Sequence, residues 1–107
     1  MIRLTVLSNL PDGQSEESFL NWRLSEHQEN NKSMPGVVRT DFARITESWP
    51  PGALPDYRFQ TTVDWPDRQS FDSSFHSDAV QDSLSENLKK LGKYAFFVSE
   101  ILIESEN

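Results

Sequence analysis

The chain has 107 residues, 36% of them hydrophobic and 25% charged, with a net charge of −7 at pH 7 and no cysteine. Its length fits a single domain over residues 1–107, and seven Phe, three Trp and two Tyr exceed what disordered chains carry. The negative charge argues against a nucleic-acid partner, the lack of cysteine excludes thiolate chemistry, and no visible signal peptide or membrane span leaves a cytoplasmic protein as the expectation.

The first third of the chain is predicted to form a strand followed by a helix. Apolar residues alternate over 2–7, which is typical of a half-buried strand. Ser15 fits the N-cap of a helix that ends before Pro35, near Lys32. The apolar stripe of this helix is formed by Leu20, Leu24 and His27.

The rest of the chain adds three strands and two helical pieces. In chain order these are a strand over 37–47, a loop over 48–56, a strand over 57–65, a helix starting at Pro66, a second piece capped by Asp78 and ended by Gly92, and a strand over 94–103. The order β-α-β-β-α-β predicts an α+β, ferredoxin-like fold with a four-stranded antiparallel sheet.

One face of this sheet has no helix to cover it, because the two helices can cover only one face. The uncovered face then carries Arg3, Thr5, Arg58, Gln60, Thr62 and Asp64. The last strand is apolar on that side as well, which favours contact with a second copy of the chain. We therefore predict a homodimer, a barrel of two sheets with a small, partly polar cavity between sheet and partner.

Four stretches resemble one known family. They are "MIRLTVL" at the start, a Phe-rich helix ending in His27, "MPGV" seven residues later, and "FFVSEILI" near the end. In this order they are similar to the EthD family of dimeric α/β-barrel proteins. The resemblance implies a cavity that holds a small apolar or aromatic carbonyl substrate, no cofactor, and a position for His27 at that cavity.

His27 has two interpretations. A histidine at the end of a helix is stabilised by the helix dipole when protonated, by about 0.3–1 kcal/mol. An imidazole beside a substrate carbonyl can instead act as a general acid or base, because it titrates near neutral pH. No metal site is expected, since the chain has two histidines and no cysteine.

The remaining candidates are substrate-binding residues. Arg3, Arg39 and Arg58 can hold a substrate carboxylate or an enolate oxygen; the alternative is salt bridging to Asp41, Asp64 or Glu100. Thr40, at a position where a family member has tyrosine, and Trp65, in an aromatic-lined pocket, complete the set of candidates.

Three functions remain open. The first is a cofactor-independent enzyme that isomerises or dehydrates a lactone- or polyketide-like carbonyl compound, with His27 as the base. The second is a cofactor-free monooxygenase of the same fold. The third is a non-catalytic dimeric binding or stress-response protein. An open cavity where His27 and an arginine converge favours an enzyme, whereas a cavity filled by Phe and Trp favours the third function.

Overall fold

A computed structural model describes residues 1–52 and 56–105 of the chain, without the side chain of Glu26. The strands are β1 (Ile2–Ser8), β2 (Arg39–Arg44), β3 (Phe59–Trp65) and β4 (Tyr94–Glu100). The helical elements are α1 (Glu16–Trp22), a π-helical segment (Arg23–His27), α2 (Gln28–Lys32), α3 (Arg68–Phe75) and α4 (Asp78–Leu88). Helical elements therefore connect β1 to β2 and β3 to β4, as the predicted order requires.

The four strands form one antiparallel sheet in the order β2-β3-β1-β4. On β1, Leu4 lies opposite Val63 of β3 and Val98 of β4. All three strand pairs are antiparallel, including β2 with β3. The predicted α+β, ferredoxin-like architecture is confirmed.

Three strands, β2, β3 and β4, are shorter than predicted. β2 and β4 end where their partner strands end. The last residue of β2, Arg44, pairs with Phe59, the first residue of β3. The last residue of β4, Glu100, pairs with Ile2, the first residue of β1. One backbone hydrogen bond follows each of these pairs, from the Ile45 N–H to Arg58 (2.7 Å) and from the Ile101 N–H to Met1 (2.9 Å). Residues 53–55 of the predicted loop lie outside the described residues.

Three helix boundaries differ from the predicted ones. Pro66 precedes α3 rather than starting it, because the side chain of Asp67 caps this helix by accepting a hydrogen bond from the Ser70 N–H (2.8 Å). Ser77, not Asp78, caps α4. Helix α4 ends at Leu88, so Gly92 does not terminate it. A Cβ at Gly92 would collide with the backbone of Leu10, which explains a glycine there.

The core lies between the sheet and helix α3. Trp65, fully buried, packs edge-to-face on Phe71, with ring centroids 5.1 Å apart. Its indole N–H donates to the carbonyl oxygen of Pro35 (3.1 Å). Gly36 turns the chain beneath this ring with a φ of +78°, and its backbone comes close enough that a Cβ would lie 3.4 Å from Trp65 Cδ1. The "MPG" turn therefore packs against a core tryptophan, and glycine allows both the positive φ and the close approach.

Replacing Trp65 tests this structural assignment. We expect Trp65→Ala to lower the free energy of unfolding by about 3–5 kcal/mol, because it opens a cavity in the core. The matched control is Trp49→Ala, at a side chain that is 87% exposed, for which we expect a change within about 0.5 kcal/mol. Urea unfolding measures both; equal effects would contradict the core position of Trp65.

Candidate active site

A cavity of about 370 Å³ lies between the helical layer and the covered face of the sheet. Its sheet side is formed by apolar residues such as Leu4, Val6 and Val63, and its helical side by residues such as Leu84 and Leu88. The cavity is built within one chain. The predicted cavity at the uncovered face is a different site, since it requires a second copy of the chain.

The π-helical segment sets which side chains reach this cavity. Both its first residue, Arg23, and its last, His27, line the cavity. Leu24, which was predicted to face the core, is 61% exposed. A π-helical turn closes at i→i+5, so its side chains follow a different rotation from those of an α-helix. The predicted stripe through Leu24 is therefore wrong, and Arg23 is buried there.

Arg23 is only 2% exposed. Its guanidinium donates to the side-chain oxygen of Gln28 (2.6 Å) and to the hydroxyl of Thr61 (3.1 Å). It also lies over the ring of Phe42, 4.1 Å from the centroid. None of these neighbours carries a negative charge. Burial lowers the pKa of Arg23 to about 10, so the group is still protonated at pH 7.

His27 sits beside Arg23 with an unused nitrogen. Its ring packs on Trp22, with centroids 4.6 Å apart and planes inclined by 31°. The Nδ1 atom is buried and has no hydrogen-bond partner among the described residues. Burial first, and then the positive charges of Arg23 and Lys90, lower the pKa of His27 to about 4. The imidazole is therefore neutral at pH 7 and has a lone pair available to accept a proton.

The three arginines predicted from the sequence lie away from the cavity. They are engaged in ion pairs: Arg3 with Asp64 (2.8 Å), Arg39 with Asp41 (3.3 Å) and Arg58 with Glu16 (2.9 Å). The Arg3 pair lies on the uncovered face of the sheet, where Asp64 is almost fully buried. The contacts of Arg3 and Arg39 are with carboxylates named in the salt-bridge alternative, whereas Arg58 pairs with Glu16, which the sequence did not suggest.

The other two predicted binding residues also have structural partners. The hydroxyl of Thr40 donates to the carbonyl oxygen of Thr62 across the β2–β3 pair (2.9 Å). Trp65 belongs to the core, and neither residue is among those that line the cavity. Of the six candidates, the structure places only His27 on the cavity wall. Sequence reasoning missed Arg23, for which the available signal was its i, i+4 spacing from His27.

The described part of the chain contains neither a membrane-spanning helix nor a cluster of metal ligands. No helix within residues 1–52 and 56–105 is long and apolar enough to cross a membrane. The same ranges contain no group of three or more His, Asp or Glu side chains able to hold a metal ion.

Comparison with known proteins finds likeness in structure and not in sequence. No family model and no curated protein matches the chain. An EthD family protein from Bacillus halodurans superposes with a TM-score of 0.79 at 18% identity, covering 95% of this chain and 99% of that one. The shared fold is ferredoxin-like. The resemblance to the EthD family is thereby confirmed at the level of the fold.

Two enzymes share the fold at lower identity. Hydroxynitrile lyase from Passiflora edulis has a TM-score of 0.78 at 10% identity, covering 98% of this chain and 96% of that one. The cofactor-independent oxygenase SnoaB from Streptomyces nogalater has 0.68 at 11%, with coverages of 96% and 94%. A dimeric ferredoxin-like protein from Thermobifida fusca has 0.65 at 13%, with coverages of 94% and 90%.

The buried neutral imidazole predicts how stability depends on pH. In the unfolded chain His27 binds a proton near pH 6.5, but in the folded protein it does so only near pH 4. As the pH falls between these values, the unfolded state binds the extra proton and the free energy of unfolding decreases. In His27→Phe, which keeps a ring against Trp22, this contribution is absent.

We therefore expect the stability of the wild type to decline more steeply from pH 6.5 to 4 than that of His27→Phe. Urea unfolding at constant ionic strength, repeated across this pH range, measures both slopes. Parallel slopes would show that His27 is solvated in the folded protein.

Proposed function

We propose that the protein is a cofactor-independent, cytoplasmic enzyme, related to the EthD family, that acts by acid–base chemistry on a small apolar or aromatic carbonyl compound. The observation that carries this proposal is the cavity in which the unpartnered imidazole of His27 and the guanidinium of Arg23 converge. The cavity is open rather than filled by aromatic side chains, which supports an enzyme over a non-catalytic protein.

His27 is suited to the role of general base. Its imidazole is neutral at pH 7, and negative charge on a bound substrate raises its pKa towards the range in which it can accept a proton from a carbon next to the carbonyl. The positive charges of Arg23 and Lys90 then favour the negative charge that develops on the substrate. Return of the proton from His27 to another carbon completes an isomerisation. In a dehydration the hydroxyl group instead leaves as water, taking the proton that His27 holds.

A cofactor-free oxygenase is the second candidate. Its support is the structural likeness to SnoaB, together with the aromatic side chains of Phe19, Trp22 and Phe42 on the cavity wall. In this case His27 would deprotonate an electron-rich phenol or enol, and the resulting anion would react with O₂. The two candidates differ in a simple observable, since only the oxygenase consumes O₂.

A ligand screen with a cavity-filling variant tests the proposal. Ser83 and Ser85 are both exposed residues of α4, but only Ser83 lines the cavity. We expect cyclic carbonyl compounds that raise the melting temperature of the wild type to do so in Ser85→Trp but not in Ser83→Trp. A ligand at a hundred times its dissociation constant adds about 2.7 kcal/mol of stability, which a thermal shift detects.

Compounds found in this way are then incubated with the wild type and with His27→Phe. We expect the wild type to convert at least one of them and His27→Phe to lose about 10²–10⁴-fold in rate. Binding without turnover in the wild type would support the non-catalytic alternative, and equal rates would exclude His27 as the base.

We further propose that the uncovered face of the sheet packs against a second copy of the chain. On this face Phe97 of β4 is 55% exposed and lies opposite Thr5, two residues along β1 from Arg3, which pairs with Asp64. A large exposed aromatic ring on the same sheet face as an ion pair with a nearly buried carboxylate is typical of a surface that a partner covers. The dimeric protein from Thermobifida fusca, which shares the fold, supports this assembly.

Light scattering tests the dimer. We expect a dimer mass for the wild type at micromolar concentration and a monomer mass for Phe97→Glu, because the new carboxylate would be buried without a partner. Leu24→Glu is the control, since Leu24 is 61% exposed on the helical side, and it should remain dimeric. A monomeric wild type would contradict the proposal.

A further inference from the structure

The charge of Arg23 is not balanced by the described residues. The chain has six arginines, and the structure pairs five of them with carboxylates. These are Arg3, Arg39, Arg44, Arg58 and Arg68. The sixth, Arg23, is the most deeply buried, and the partners found for it among the side chains that the structure describes are uncharged. A buried cation without a counter-charge is destabilising by several kcal/mol.

We infer that the cavity binds a ring compound carrying a carboxylate, and that the guanidinium of Arg23 binds this carboxylate. The inference rests on the proposed function, since it assigns a substrate class to the same cavity. The ligand then supplies the counter-charge that the described residues do not.

The geometry around Arg23 leaves donors for a ligand. A guanidinium has five N–H donors, and two of its nitrogens bond to Gln28 and Thr61. The planar fork of the remaining donors matches the two oxygens of a carboxylate. A phosphate dianion would leave one negative charge without a buried partner, so a carboxylate fits this site better.

The walls of the cavity suit an aromatic or alicyclic ring. Arg23 lies on the face of Phe42, which stacks on Phe59 with centroids 5.3 Å apart. Phe59 in turn stacks on Phe19 (5.0 Å). The volume of about 370 Å³ falls in the range of small-molecule sites, about 300–1,000 Å³. A flat ring can therefore pack against apolar residues while its carboxylate faces Arg23.

The net negative charge of the whole molecule does not attract an anion to this cavity. At −7, the chain repels anions on balance. Attraction for an anion must then come from the cavity itself, where Arg23 and Lys90 are the positive groups that act on His27. Lys90 lies 4.8 Å from the ring centroid of Trp22, a residue of the cavity wall.

Two probes of the same shape test the inference: 2-naphthoate and its neutral analogue 2-naphthamide. By calorimetry at pH 7 we expect the wild type to bind the naphthoate at least about tenfold more tightly than the amide. In Arg23→Met this preference should disappear while the amide still binds. Arg68→Met is the matched control, because Arg68 also lies over a phenylalanine ring, that of Phe71, but is exposed and paired with Asp72.

The outcomes separate this inference from the proposed function. Equal binding of both probes by the wild type, or an unchanged preference in Arg23→Met, would overturn the assignment of Arg23 and leave the cavity as a ligand site. Binding of neither probe would overturn both. If Arg23→Met does not fold, Arg23→Gln is measured by the same criterion.

Thermal unfolding without ligand provides a second readout. Replacing a buried charge by an apolar side chain of similar length is often neutral or stabilising. We therefore expect the melting temperature of Arg23→Met to equal or exceed that of the wild type. A clear decrease in both Arg23→Met and Arg23→Gln would show that Arg23 stabilises the fold, and would overturn its assignment as a group held for a ligand.

Discussion

The burial of Arg23 without a carboxylate is the constraint on which the candidate site depends. Its guanidinium donates hydrogen bonds to two neutral oxygens and lies on an aromatic face. These contacts fix its position but supply no negative charge. The uncompensated charge helps to keep His27 neutral and attracts negative charge into the cavity. The proposed base and the proposed anion site therefore both depend on one electrostatic arrangement, in which a positive charge is kept out of water.

A local change of helix geometry produces this arrangement. The π-helical segment between α1 and α2 brings Arg23 and His27 to the cavity and leaves Leu24 in solvent. π-helical turns are frequent at functional sites because they redirect side chains at some cost in helix stability. The sheet beneath them has separate roles on its two faces: the covered face forms the cavity, and the uncovered face carries the proposed dimer contact.

Local patterns predicted the fold well and the site poorly. Alternation over 2–7 and 57–65 identified the central strands β1 and β3. Ser15 caps α1 as expected, accepting from the Ser18 N–H (3.1 Å). Arg58 was assigned to the polar row of β3, but it precedes this strand and its side chain pairs with Glu16 at the start of α1. Such a long-range ion pair, like a π-helical turn, leaves no periodic signal in the sequence.

The most direct test of the account is an NMR titration of the His27 imidazole from pH 3.5 to 8, with its signals assigned from a His27→Phe spectrum. The account predicts a neutral ring throughout the neutral range, a pKa of about 4, and a rise of this pKa when 2-naphthoate is bound, because the added negative charge stabilises the imidazolium. A pKa near 6.5 that does not respond to 2-naphthoate would contradict it, since His27 would then be solvated and distant from any anion site.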